Sequence, residues 1–214
     1  MKVGIFGTGD VGRALARGFL TLGHEVKLGA REPNNEKAVK WAAESGAKAS
    51  AGTFAEVAEF GELVVLATLG VANEAALKSA GPDRLAGKIV IDATNPLGHS
   101  SGGPPSLAIS GNDSGGEQVQ RTVPKALVVK AFNTVGNAHM FRPEFPGGPP
   151  DMFFCGNDEG AKKRVAALLT EFGWNPADVG GIESSRYLEG MCMVWVLYAI
   201  KQGGWNHAFK MLRK

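Results

Sequence analysis

The chain has 214 residues, 44% hydrophobic and 21% charged, with a formal net charge of +2. This length suits one α/β domain with a modest extension, and so small a charge, with no basic stretch interleaved with aromatics, argues against nucleic acid as a partner. The N-terminal apolar run is too short for a signal peptide, and the longest one, residues 191–200, is about half of the roughly 20 residues a bilayer span needs, so the expectation is a cytoplasmic protein without a membrane partner.

Residues 2–6 are an apolar run of strand length, followed at once by Gly7-Thr8-Gly9-Asp10-Val11-Gly12. Apolar residues then recur at helical spacing, at Val11, Leu15, Ala16, Phe19, Leu20 and Leu22. A G-x-G-x-x-G string between strand and helix gives each glycine a task. Gly7 permits the tight turn, Gly9 removes a side chain where a dinucleotide's pyrophosphate approaches, and Gly12 lets helix and strand pack closely. The amides opening the helix then point at the diphosphate. A carboxylate at Asp10 would repel that diphosphate, so its side chain is expected to turn outward or to meet the helix-start amides.

Residues 25–29 read as the second strand. NAD-preferring domains end this strand with an acid that accepts from the ribose 2′-hydroxyl. The position near Ala30 lacks one, and Arg31 follows. A small residue leaves room for a 2′-phosphate, the guanidinium offers paired donors to its oxygens, and Lys37 is expected to add a second cation. Glu32 could replace the missing acid, but the balance favours NADP(H) over NAD(H).

Helical patterns at 36–45, 72–80 and 159–172 lie among strand candidates at 63–67, 88–91, 127–132 and 152–154. That succession predicts an α/β fold, a doubly wound Rossmann-type parallel sheet covered on both faces. Two Gly/Pro-rich stretches, 98–116 and 136–150, follow strands and should emerge at the sheet's carboxyl edge, as tolerated insertions or as part of the ligand surface. From about residue 183 the pattern is helical to the end. The expected division is therefore an NADP-binding domain, 1–182, and a C-terminal helical extension, 183–214, packing on the cleft or on a dimer partner. Met191, Met193, Trp195, Val196 and Ile200 are more than one helical face can hide, so a homodimer and packing against the chain's own sheet both stay open. Cys155 and Cys192 have no metal-type spacing and read as buried apolar residues; no metal site is expected.

Three strand ends carry small polar groups that could hydrogen-bond a carboxamide or a ribose: Thr68-Leu69-Gly70, Asn95-Pro96 and Asn133-Thr134. No catalytic triad, H-E-x-x-H or carboxylate pair stands out. His24, His99, His139 and His207 do not cluster, although His99 and His139 fall on the two long loops. Such a site suits direct hydride transfer between two rings that the protein aligns, and equally a protein that binds NADP(H) without turning it over.

Several strings resemble the NADPH-dependent coenzyme F420 reductases and their bacterial relatives, a group similar to the NADPH-oxidising domain of the STEAP metalloreductases. They are the Gly7–Gly12 loop, Leu22-Gly23-His24-Glu25, Gly29-Ala30-Arg31, Val129-Lys130-Ala131-Phe132-Asn133-Thr134, Cys155-Gly156-Asn157-Asp158 and Ser184-Ser185-Arg186-Tyr187-Leu188-Glu189. The resemblance runs over nearly the whole chain. It implies NADP(H) held by Thr8–Val11, Arg31, Thr68, Leu69 and the stretch Asn133, Thr134 and Val135, with a deazaflavin or flavin ring stacked opposite the nicotinamide. Archaeal F420 reductases carry His-Thr where this chain has Asn133-Thr134, which looks closer to the metalloreductase-like branch. The resulting expectation is an NADP(H)-dependent oxidoreductase with a small-molecule acceptor, F420 first. The alternatives are a reductase of an imine, carbonyl, flavin or ferric substrate and a non-catalytic redox sensor. No catalytic residue is assigned; Asn133 is the candidate for positioning the nicotinamide.

Overall fold

A computed structural model describes residues 1–98 and 103–214. The first βαβ unit is β1 (Lys2–Phe6), α1 (Asp10–Thr21) and β2 (Glu25–Ala30), continued by α2 (Glu36–Glu44) and β3 (Ala49–Thr53). There follow α3 (Phe54–Phe60), β4 (Leu63–Leu66), α4 (Asn73–Ala80), β5 (Ile89–Asp92) and a short pair, β6 (Leu97–Gly98) and β7 (Ser106–Leu107). The rest is α5 (Gly115–Thr122), β8 (Leu127–Lys130), β9 (Asp151–Gly156), α6 (Glu159–Glu171), β10 (Asn175–Asp178) and α7 (Ser185–Gln202).

The large sheet has the order β10-β9-β8-β5-β4-β1-β2-β3. From β3 to β8 every neighbour is parallel, which gives the Rossmann arrangement. Its central strand β4 is apolar throughout because both faces are covered: all four of its residues, Leu-Val-Val-Leu, are buried. The core sits on both sides, one part around Leu15, Phe19, Ile91 and Phe172, the other around Phe6, Phe54, Leu77 and Val128.

The parallel sheet predicted from the alternation needs correcting at one edge. β9 runs antiparallel to β8, and β10 pairs parallel with β9. The reason lies in the connection: residues 131–150 contain no crossover helix, and without one the chain returns antiparallel. Within the stretch predicted at 98–116, Ser106–Leu107 pairs with Leu97–Gly98 and α5 opens at Gly115; residues 99–102, His99 among them, lie outside the described residues.

The tail departs from the helical expectation. α7 ends at Gln202 with Gly203 at φ 68, a left-handed cap that glycine accommodates. Residues beyond it fold back: His207 stacks on Trp195, the Phe209 carbonyl accepts from the Asp151 amide, and Asp151 takes the Met211 amide and Arg213. Leu188, Cys192, Trp195 and Ala199 of α7 are buried, whereas Tyr187, Val194, Leu197, Tyr198 and Ile200 stay exposed. No helix among the described residues is long and apolar enough to cross a membrane.

Candidate functional site

At the carboxyl edge of the sheet lies a cleft of about 810 Å³, lined by Gly7 to Val11, Ala67 to Val71, Ala93 to Asn95, Leu97, Gly98 and Asn137. An arm of about 300 Å³ shares Gly7 and Thr8 with it and runs to Gly29, Ala30, Arg31, Glu32, Asn35 and Phe54. The two spaces meet over the glycine loop.

Gly7 and Gly12 carry the turn and close-packing tasks their spacing implies. Gly7 has φ 115, and a Cβ there would lie 2.4 Å from the Ala67 carbonyl oxygen. A Cβ on Gly12 would lie 2.3 Å from the Gly7 carbonyl oxygen, so helix and loop touch there, while a Cβ on Gly9 would meet nothing within 4 Å. Among the described residues, α2, α3, α5 and α6 open with Asn35, Thr53, Ser114 and Asp158 accepting a backbone N–H, whereas no side chain caps α1, α4 or α7, and of these α1 opens at the cleft. Its first amides face the cleft uncapped, which suits an anion. Asp10 turns outward, 2.5 Å from Arg13 and largely exposed, as expected.

In the arm, the buried Ala30 and the exposed Arg31 stand together as the sequence implies, with Glu32 beside them. Lys37 does not join them: Asn35 caps α2 by accepting from the Ala38 amide, and Lys37 falls on the exposed first turn. Asn35 and Phe54 line the arm instead. Neither was anticipated, although Asn35, just ahead of an amphipathic run, carries an N-cap signal.

Thr68, Leu69 and Asn95 line the cleft. Asn133, Thr134 and Val135 are buried behind it. Asn133 is not among the residues lining the cleft but is bonded to one that is: its Nδ2 donates to Asn95 Oδ1 at 3.0 Å and to the Leu188 carbonyl at 2.8 Å, and Asn95 Nδ2 donates to the Asn133 carbonyl at 2.8 Å. The preceding Phe132 sits at φ 63, a costly conformation for a bulky residue, and its ring is held 5.5 Å from that of Phe172. This turn brings the Asn133 backbone to Asn95. Asn133 Oδ1 is buried without a hydrogen-bond partner.

Below the cleft is a buried ionic cluster that the sequence did not disclose. Lys130 Nζ lies 2.7 Å from Asp92 Oδ2, 2.9 Å from Glu189 Oε1 and 2.9 Å from the Thr94 carbonyl. Glu189 also accepts the Gly115 and Gly116 amides at 3.0 Å each. Burial pulls the Lys130 pKa down, but Asp92 and Glu189 outweigh it, and the net direction is upward. Burial pushes the Cys155 thiol to about 11 and the Cys192 thiol to about 12, so both stay protonated and inert. No group of three or more His, Cys, Asp or Glu side chains suited to a metal occurs among the described residues. His139 pairs with Asn206 at 3.0 Å and lines neither space.

Residues 2–96 match a family described as "NADP oxidoreductase coenzyme F420-dependent". A protein of Arthrobacter sp. FB24, provisionally named an F420-dependent NADP-reductase, is similar in structure at TM-score 0.93 and 41% identity, with all of both chains covered. The F420-dependent NADP reductase of Methanothermobacter marburgensis is 29% identical over 212 residues, covering 94% of this chain and 93% of that protein. Metalloreductase STEAP3 of Rattus norvegicus is 30% identical over 190 residues, 89% of this chain, and the chain spans 36% of that protein's length. With a fully covered relative at 41% identity and residues 2–96 matched by the family, this chain belongs to the coenzyme F420-dependent NADP oxidoreductase family and is an NADP oxidoreductase.

Proposed function

We propose that NADP(H) lies along the cleft and arm, and that hydride passes between it and a flat flavin-like acceptor, coenzyme F420 first. The fit rests on the space over Gly9 and the uncapped start of α1 for the diphosphate, and on Arg31 beside the small Ala30 for the 2′-phosphate. NADPH supplies the hydride when bound. Gly7, Thr8, Val11 and Gly12 shape its seat, while Thr68, Leu69 and Asn95 border the nicotinamide end, with Asn133 holding Asn95 through two hydrogen bonds.

The observation that carries the acceptor class is the wall of the cleft. Leu69, Val71 and Leu97 expose apolar surface into it, at 77%, 56% and 43%. A domain that keeps such residues beside a polar loop has a surface suited to an aromatic ring and to excluding water from it. An acceptor screen with NADPH and NADH tests the reading: F420 should be reduced fastest, and turnover with FMN or a ferric chelate but not F420 would overturn the F420 assignment.

Arg31→Ala should raise the NADPH Kd by roughly 10- to 100-fold, the loss of a hydrogen-bonded charge pair, and leave NADH nearly unchanged. Equal losses for both, measured by titration calorimetry, would remove the 2′-phosphate from Arg31. We also propose that the apolar face of α7, with Tyr187, Val194, Leu197 and Tyr198 exposed in the single chain, packs against a second copy. Light scattering at low micromolar concentration should give a dimer mass; a monomer mass would overturn it.

A further inference from the structure

A chain of hydrogen bonds leads from the cleft wall into the buried cluster. Thr68 Oγ1 lies 2.6 Å from Asn73 Oδ1, and Asn73 Nδ2 lies 2.7 Å from Thr94 Oγ1. Thr94 Oγ1 lies in turn 2.6 Å from Asp92 Oδ1, whose other oxygen meets Lys130 at 2.7 Å. Asn73, Thr94, Asp92 and Lys130 are all buried.

Counting protons fixes the direction of every link. The Asp92 carboxylate, paired with an ammonium, offers only lone pairs, so the single hydroxyl proton of Thr94 goes to it. Thr94 then has none for Asn73, which must present its NH₂ group there. A flipped amide would set two acceptors 2.6 Å apart at Asp92 or leave Thr94 facing a second acceptor without a proton. Asn73 therefore turns its carbonyl to Thr68, and Thr68 must donate inward. Its one proton is committed, and toward the cleft it offers lone pairs alone.

Resting on the NADP(H) reading above, we infer that Thr68 is an acceptor for a hydrogen-bond donor of the dinucleotide, an N–H or O–H at its nicotinamide end, and that Asn73 is the positioning residue that keeps it so. The polarity originates in the Asp92–Lys130 pair. Asn73 itself lines neither the cleft nor the arm and acts through Thr68. The wall thus selects against a ligand that presents only an acceptor at this point, because two oxygens would face each other unbridged.

The test is NADPH affinity by calorimetry, with thermal unfolding as the control for folding. Thr68→Val should raise the Kd about tenfold, the worth of one hydrogen bond, and Thr68→Ser should restore it to within about threefold of wild type. Asn73→Leu should cost about as much as Thr68→Val when Thr68 is present, but less than about twofold in the Thr68→Val background. Full additivity of the two, or an unchanged Kd in Thr68→Val, would overturn the inference. A wild-type protein that does not bind NADPH would overturn the NADP(H) reading and this inference together, so the two failures are distinguishable.

Discussion

Lys130→Met is expected to lower the thermal midpoint by roughly 6 to 20 °C. Lys130 and Asp92 are fully buried and Glu189 nearly so, and the three carry one positive and two negative charges. Removing the ammonium leaves two carboxylates uncompensated in the interior, a change that costs about 3–5 kcal/mol, and a chain of this size loses about 2–4 °C for each. The loss should begin at α7, because Glu189 ties that helix both to β8 and to the first amides of α5. Limited proteolysis of the tail should therefore accelerate before global unfolding does. The sign of the pH dependence follows from Lys130, whose folded-state pKa is raised. Its contribution is fully present below the ordinary lysine value and is lost only as pH rises through the higher folded value. The deficit of Lys130→Met should thus stay level between about pH 6 and 9. A midpoint within 2 °C of wild type would mean that the cluster contributes nothing to stability.

Acid should act elsewhere. Arg186 binds Glu117 through two nitrogens, at 2.8 and 2.5 Å, and holds its carboxyl below the ordinary glutamate range. That contribution is present above the ordinary value and disappears as pH falls through the depressed one. It is a second tie between α7 and α5, and it weakens from the acid side whereas Lys130 weakens from the alkaline side.

Local chemistry was readable in the sequence where one segment supplies all of it. The glycine loop, Ala30 with Arg31, and the strands of the buried sheet each reside in a few consecutive residues with a recognisable period. The strands of the large sheet missed by that reading lie at its edges. β3, Ala-Ser-Ala-Gly-Thr, has no large apolar residue, and β10 contains Pro176, which an edge strand tolerates. The missed helices had a signal that composition hid. Thr53 and Glu56 form a capping box before α3, and Ser114 with Glu117 stands in the same pattern before α5, where Gly115-Gly116 resembled a loop. Those two glycines are close-approach positions: a Cβ on Gly116 would lie 2.2 Å from Ser185 Oγ of α7. The polar network is another matter. Asp92, Lys130 and Glu189 come from three elements, and no periodicity links them. Asn133 shows the same limit, since its string was recognisable but its partners, Asn95 at the cleft wall and Leu188 of α7, are far from it in sequence.

The glycine loop offers the sharpest separation of folding from binding, because the same substitution three residues apart should spare stability at one position and lower it at the other. Gly9→Ala adds a methyl where the free protein has open space, at φ −75 and ψ −179, a conformation alanine adopts freely. Folding should be unharmed, and the midpoint should hold or rise slightly as the unfolded chain loses freedom. In the proposed binding mode the same methyl stands where the diphosphate approaches the uncapped amides of α1. NADPH affinity should therefore fall at least tenfold, about the worth of one charge-assisted hydrogen bond lost. Gly12→Ala instead drives a methyl to 2.3 Å from the Gly7 carbonyl oxygen, a backbone atom that cannot rotate away. Helix α1 must lift from the loop, at a cost of roughly 1–3 kcal/mol or more in overpacking, so the midpoint should drop and affinity should follow it down. Calorimetric unfolding and NADPH titration on both variants decide the matter. Loss of affinity without loss of stability in Gly9→Ala places the diphosphate over Gly9, and retained affinity there would move it off the loop altogether.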